Sequence, residues 1–323
     1  MAEPGLGDVH VDAALTDLSI AYFYDEGNFI WRRGAPVVGS PMQSNKFYTF
    51  DKDQLLKTET RQRAPGTEAA VRNYSLSTTS FYCPVRAVAH DISRQVRANA
   101  DPALDPEQDA ARLLAQDMNI ALENAFAGAV FGASAWGTTY TGASNYPVSG
   151  TNQWSDAASS PIEDISAAKY DVLSATGFEP NTLILGAQTW YKGLAHHTDI
   201  INRLPDNAPR FATEQFLANL LGLDRVLISR AVYNTADEGA TASYSMSLTD
   251  NAVLAYVAPN PGLRTPSAMY SFSWRGLIPG DIQTRRIEIP EADAVPRIEV
   301  ETALDVAVIT GSDLGVEFTD TVA

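Results

Sequence analysis

Two adjacent histidines, one serine motif and one cysteine are the residues whose types could do chemistry. His196 and His197 stand side by side in "PNTLILGAQTWYKGLAHHTDIINRL", Pro180 to Leu204, which reads as a strand, a glycine turn and a helix. Adjacent side chains on a helix diverge by about 100°, whereas metal-binding pairs use a spacing of four. The pair therefore points to shape or surface rather than to a metal, and His10 and His90 lie far away in sequence. "GASAWG", Gly132 to Gly137, misses the nucleophile elbow by one residue. Trp136 stands where a second glycine would permit the sharp turn, which disfavours a hydrolase built on Ser134. Cys83 sits in an aromatic, apolar run without a neighbouring base and reads as a small packed side chain. No phosphate-binding glycine loop followed by lysine and no zinc spacing is present. No catalytic residue, cofactor or metal is expected, and a non-enzyme is the reading that results.

The bulk numbers agree with a folded, soluble chain. It has 323 residues, 45% of them hydrophobic, enough for a substantial core. The 39 acidic residues outnumber the 23 basic ones, for a net charge of −16. Such a surface repels nucleic acid and anionic membranes at moderate salt unless a basic patch overrides it. One cysteine permits no intrachain disulfide and no thiolate cluster, so the chain suits a reducing compartment. "MAEPGLGDVHVDAALTDLS" lacks the basic and apolar regions of a secretory signal. The longest apolar run, Ala125 to Trp136, falls short of the roughly 20 residues that span a bilayer. A start in a cytoplasm and no membrane partner are expected.

The elements follow from turn and cap signals. Residues 1 to about 45 show no sustained period but carry many aromatics, and read as an arm with apolar anchors. Strand-like arms, Phe47 to Arg63 and Val71 to Val85, flank Pro65-Gly66. Both faces of this hairpin are polar near the turn, so it is marginal alone and is expected to settle on another subunit. Asp105, Pro106 and Gln108 open a long helix, with Leu114, Met118, Leu122 and Ala125 at helical spacing, Leu113 and Phe126 widening the stripe, and Gly128 and Gly132 ending it. Residues 131–160 form a Gly/Ser-rich loop weighted with Trp136, Tyr140, Tyr146 and Trp154. A helix from Pro161 to Thr176 ends at Gly177, and Leu183 to Leu185 make a buried strand. Another helix, Thr213 to Leu221, stops at Gly222. Strands follow at "RVLISRAVYN", two within "SYSMSLTDNAVLAYVAP", then Met269–Trp274, Ile282–Ile289, Ile298–Thr302 and Val306–Ile309. The class is α+β.

This order of parts resembles the major capsid proteins of tailed bacteriophages, the family with the Hong Kong 97-type fold. The stretch Gly177 to Leu204 looks like the strand-turn-helix of that family's axial domain, and "FLANLLGLDRVLISRAVYNTADEGATASY" and "PNPGLRTPSAMYSFSW" continue the likeness. The resemblance implies an N-terminal arm at 1–45 and an extended loop, the β-hairpin, at 46–86. It implies a peripheral domain from 87–160 and 276–323, with the spine helix at about 105–127, and an axial domain at 160–275. It further implies self-assembly into hexamers and pentamers of an icosahedral head, built in the bacterial host cytoplasm and ending as the virion. Implied partners are a separate scaffolding protein, a portal, a decoration protein in some relatives, and packaged double-stranded DNA without specific binding. Some relatives crosslink through an extended-loop lysine; Lys46, Lys52 and Lys57 are available, but nothing singles out a partner for them.

Near the hairpin tip Lys57, Arg61, Arg63 and Arg72 outnumber Glu59 and Glu68. These four cations are the expected intersubunit contacts, drawn to an acidic neighbour and weakened by salt. Alternatives are an encapsulin-like bacterial compartment shell, an enzyme of unknown type, and a β-rich tail or receptor-binding module. The long helix and single α/β core count against the last.

Overall fold

A computed structural model describes residues 26–323 except 51–55, 59, 61, 64, 70, 72–75, 94, 96–105, 133–134, 206–209, 238, 263–264, 290–294 and 310–312. Five α-helices are described: α1 (Trp31–Gly34), α2 (Pro106–Val130), α3 (Pro161–Thr176), α4 (Thr198–Ile201) and α5 (Glu214–Leu221). The strands are β1 (Val37–Ser40), β2 (Ser44–Phe50), β3 (Leu76–Tyr82), β4 (Val85–Asp91), β5 (Thr139–Thr141), β6 (Thr182–Leu185) and β7 (Arg225–Ile228). They continue with β8 (Val232–Asn234), β9 (Tyr244–Met246), β10 (Ala252–Ala255), β11 (Met269–Trp274), β12 (Gln283–Ile289), β13 (Val295–Val308) and β14 (Gly315–Thr319).

The inner sheet runs β5-β14-β10-β6-β7 and is mixed, with β6 parallel to β7 and β10 antiparallel to both β6 and β14. The strands β6, β7 and β10 at its centre and one edge read as short apolar runs because both faces are covered. Leu183 and Leu185 meet α3 and α5 on one face, while Ile184, Leu227 and Val253 turn to the other. The outer sheet runs β1-β11-β13-β12, with β4 also on β13. Chain order does not decide membership. Thr139–Thr141 and Gly315–Thr319, assigned from sequence to the peripheral unit, pair into the inner sheet, and Met269–Trp274, assigned to the axial unit, pairs with β13.

The helix α2 joins the two sheets, and its sequence explains how. Buried residues recur every fourth position: Ala110, Leu114, Met118, Leu122, Phe126 and Val130. Four residues overshoot a full turn by about 40°, so over five steps the stripe winds about 200° around the helix. Its N-terminal part packs with Ile298 and Val300 of β13, while Phe126 approaches Ile184 of the inner sheet. The helix ends at Val130 rather than at 127, with Gly128 inside it, because Phe126 and Val130 continue the stripe. Leu113, expected to widen it, is exposed.

Three further expectations change. The strands expected at 298–302 and 306–309 are one strand, β13, because β11, β12 and β4 all find partners along it. The "RVLISRAVYN" strand breaks into β7 and β8 around Ser229–Ala231. The end of the arm is not free: Phe29, Ile30 and Trp31 are buried in the body, and β1 lies parallel to β11.

Candidate functional site

The histidine segment does not continue as a regular helix. After β6 the chain turns at Gly186, where a side chain would collide with the Thr249 carbonyl at 2.1 Å. A π-helical turn, Thr189–Gly193, and a 3-10 turn, Leu194–His196, follow, and the chain is extended at His197. His197 then caps α4: its Nδ1 accepts from Asp199 N at 3.2 Å, leaving Nε2 to donate to Asp156 O at 3.1 Å, with Ser159 Oγ also at 3.1 Å. His196 is exposed, its ring edge-on to Phe211. One histidine therefore holds a loop to a helix start and the other faces solvent.

The remaining chemical candidates are also built into the scaffold. Trp136 is buried and its Nε1 donates to Val130 O at 2.7 Å, closing the end of α2, while β14 crosses its ring at Gly315. Ser134 lies outside the described residues. Cys83 is fully buried, donates its thiol to Phe272 O at 3.4 Å, and burial pushes its pKa up to about 11. Among the described residues no group of three or more His, Cys, Asp and Glu is placed to hold a metal ion. No described helix is long and apolar enough to cross a membrane.

The polar joints that organise the molecule are carboxylates the sequence pattern did not flag. Glu123, on the inward side of α2, is 1% exposed. Its Oε2 accepts from Ile30 N at 3.0 Å and Trp31 N at 2.9 Å, capping α1, and its Oε1 accepts from Ser229 Oγ at 2.6 Å. One side chain thus ties the arm, the spine helix and the end of β7. Burial raises its pKa, and the three hydrogen bonds oppose that rise. Asp164 of α3 is also fully buried and accepts from Val148 N, Ser149 N, Ser149 Oγ and Trp154 Nε1. It thereby pins the Gly/Ser-rich loop, whose Tyr146 and Trp154 pack around Phe318. An acid adjacent to a buried apolar stripe was the available signal for both.

The ribbon formed by β2 and β3 stands on the outer sheet. Phe272 of β11 stacks with Phe81 at 4.1 Å and with Phe47 at 5.5 Å, and Tyr82 N donates to Asp305 of β13 at 3.3 Å. Cys83 N donates to Gln43 O at 2.9 Å, clasping the two legs together. Its platform is therefore on its own chain, but about 190 residues away in sequence, so no local pattern revealed it. The ladder pairs 44–50 with 76–82 and is shorter than the arms expected to 63 and from 71. Residues 56–58, 60, 62–63, 65–69 and 71 are outside strands and exposed; their polarity on both sides gives a longer ladder no face to bury. The second arm ends at Tyr82, since Cys83-Pro84 turns the chain into β4. Lys57 and Arg63 lie in this exposed stretch, whereas Arg61 and Arg72 fall outside the described residues.

A long strut between two sheets, with a ribbon leaving one of them, is shared with known proteins. No protein-family model matches the chain. The Major capsid protein of Burkholderia phage BcepMu is 26% identical over 262 residues, 79% of this chain and 80% of that protein. A phage-related protein from Bordetella bronchiseptica superposes with a TM-score of 0.70 at 19% identity, covering 95% of this chain and 96% of that one. The capsid of cyanophage P-SCSP1u matches with a TM-score of 0.58 at 14% identity, covering 90% and 88%. The chain has the Hong Kong 97-type fold of these phage capsids and is similar in sequence to a phage major capsid protein. An encapsulin complex from Synechococcus elongatus shares the fold, with a TM-score of 0.55 at 12% identity over 99% and 91%. In this chain the stretch from Pro180 to Leu204 is scaffold: β6 supplies apolar side chains to two cores, and His197 fastens the turn beyond it.

Proposed function

We propose that this chain is a phage major capsid protein, the repeating shell subunit of an icosahedral head, closing into hexamers and pentamers around double-stranded DNA. Residues 1–45 serve as the arm, 46–86 as the extended loop, α2 as the spine, and the regions about 160–275 and 87–160 with 276–323 as axial and peripheral domains. A separate scaffolding protein and a portal complete the assembly, with a decoration protein as a further candidate, and the host cytoplasm is where the shell forms. The observation that carries this reading is the ribbon. It is rooted on its own sheet by Phe47, Phe81 and Phe272, and the described residues beyond that root are exposed. A long, polar, exposed ribbon gains burial when it lies on a neighbour.

Lys57, Arg61, Arg63 and Arg72 then meet an acidic surface of the next copy. The net charge of −16 favours that contact and disfavours tight binding to DNA. The phage reading is preferred to a cargo compartment because the curated relative with 79% coverage is a phage capsid protein, while the encapsulin likeness is one of fold alone. Electron microscopy of the overexpressed chain, with and without scaffold, tests the proposal. Closed hollow particles are expected. A monodisperse monomer under every condition, with the ribbon protected from proteolysis, overturns it. The double variant Arg61→Glu/Arg63→Glu is expected to lower particle yield without unfolding the subunit, and an unchanged yield across a salt series removes the role given to those cations.

A further inference from the structure

We infer that the root of the ribbon is a proton-sensitive hinge, with Asp305 of β13 as the group that loosens it when ionised. The inference concerns the subunit alone and stands whether or not the chain forms shells. The ribbon is fastened by a small cluster of its own. Phe81, Cys83, Tyr270, Phe272 and Ile309 are buried together with Phe47 packed against them, and none of these side chains belongs to either of the two larger cores. The strands β2 and β3 pair with each other and with no other described strand. What joins them to the body is the ring stack on Phe272, the Cys83 Sγ hydrogen bond to Phe272 O at 3.4 Å, and the Tyr82 N–H directed at Asp305 Oδ2 at 3.3 Å. A unit held by so few contacts opens locally at a lower free energy than the cores behind it unfold.

One carboxylate lies in that joint. Asp305 is half-buried and stands in register with Phe272 on the neighbouring strand, so both face the ribbon. The groups that act on it are the Tyr82 N–H and the Cys83 thiol on the ribbon leg and the Arg86 guanidinium on β4, while Phe272 of β11 brings no charge. Burial raises its pKa, and the Tyr82 hydrogen bond and the Arg86 charge oppose that rise without cancelling it. The closed root therefore holds the Asp305 proton more tightly than the open root does. The stability this adds is complete below the ordinary value of 3.8 and is lost as pH rises through the higher, closed-state value. A guanidinium keeps its charge throughout, and the thiol stays neutral because burial and the Asp305 charge push its pKa up to about 11. The response of the joint to protons thus belongs to Asp305.

Cys83 reports on the opening, because it is the chain's one cysteine and is fully buried in the joint. Its reaction with dithiodipyridine is followed against pH in the full chain, for the wild type, Asp305→Asn and Glu317→Gln. Asparagine keeps an acceptor for the Tyr82 N–H and cannot ionise. The ratio of the wild-type rate to the Asp305→Asn rate is expected to rise from about one at acid pH to at least about three at neutral pH, since only the wild type then carries a buried charge in the joint. Glu317→Gln acts on the inner sheet and is expected to leave the rate unchanged. A wild-type to Asp305→Asn ratio that does not vary with pH overturns the role given to Asp305. Equal slowing by Glu317→Gln and Asp305→Asn, or a thiol that reacts only in denaturant, shows that Cys83 is reached by global unfolding alone and overturns the hinge.

Discussion

The inner sheet is covered on both faces by helices and aromatic side chains, whereas the outer sheet is covered on one face by α2 and is charged on much of the other. Every residue of β6 and β10 is buried. On β13 the even-numbered Ile298, Val300 and Leu304 face α2, while Arg297 and Glu299 point away and pair with Asp91 and Arg285. The contrast extends to acid. The inner sheet holds Glu317, 4% exposed, without a hydrogen bond or ion pair to its carboxylate among the described residues, and burial raises its pKa to about 7. The outer sheet holds Asp91, whose pKa the Arg297 guanidinium lowers. One sheet is stabilised by exclusion of water and tolerates charge badly; the other uses charge to keep an exposed face soluble.

The largest effect is expected where the inner sheet is thickest. Trp154 is fully buried against Phe318 and Tyr146 and donates to Asp164. Trp154→Ala leaves a cavity and takes one of its four donors from buried Asp164, at a cost of about 3–5 kcal/mol in urea unfolding of the subunit. A loss below about 1 kcal/mol would mean that this loop is not part of the inner core.

Next comes the joint that holds the sheets to one another. Glu123→Ala strands two backbone N–H groups and the Ser229 hydroxyl in a buried site, for a loss of about 3 kcal/mol. Glu123→Gln keeps an acceptor for the N–H groups and removes a buried charge. It should therefore recover most of the loss at neutral pH. If Gln is as damaging as Ala, the ionised carboxylate itself is required and the capping account fails.

Glu317 supplies a test through pH. Its folded pKa lies above the ordinary 4.5, so the folded state holds the proton more tightly. The associated stability is present below about 4.5 and is lost as pH rises through about 7. At about 1.4 kcal/mol per pH unit the loss is at most about 3 kcal/mol, reduced by whatever water reaches the carboxylate. Glu317→Gln should match the wild type at acid pH and exceed it at pH values above about 8 by no more than that amount. Parallel stability curves for the two proteins would show that the carboxylate is solvated.

How legible each sheet was follows from the same contrast. "TLIL", "RVLI" and "AVLA" are continuous apolar runs bounded by turn residues, and the caps at Gly177 and Gly222, both with positive φ, end α3 and α5 where the sequence placed them. Long-range pairing left no such mark. Nothing near Phe47 or Phe81 in sequence points to Phe272, and nothing near Val85 points to Ala303 on β13. Glu123 and Asp164 look in sequence like any of the chain's 39 acidic residues, yet each sits among the buried residues of its helix. The basic tip at Lys57 and Arg63 was visible as composition, and both residues lie in the exposed stretch beyond the ladder.

The smallest effect belongs to the outer face, and it separates the two sheets by sign. Arg297 forks onto Asp91, Nε to Oδ1 at 2.6 Å and Nη2 to Oδ2 at 2.8 Å, with both side chains more than a third exposed. Water screens such a pair, so Arg297→Ala should leave the unfolding midpoint almost where it was, and high salt should erase the remaining difference. What it should change is the acid limb. The folded pKa of Asp91 is lowered, so its contribution is present above the unfolded value and disappears as pH falls through the folded one, opposite to Glu317. Removing Arg297 should flatten that acid limb and leave the loss of stability through neutral pH, set by Glu317, unaltered. If instead it alters the neutral limb, the outer face is coupled to the buried carboxylate of the inner sheet, and the two sheets do not respond to protons independently.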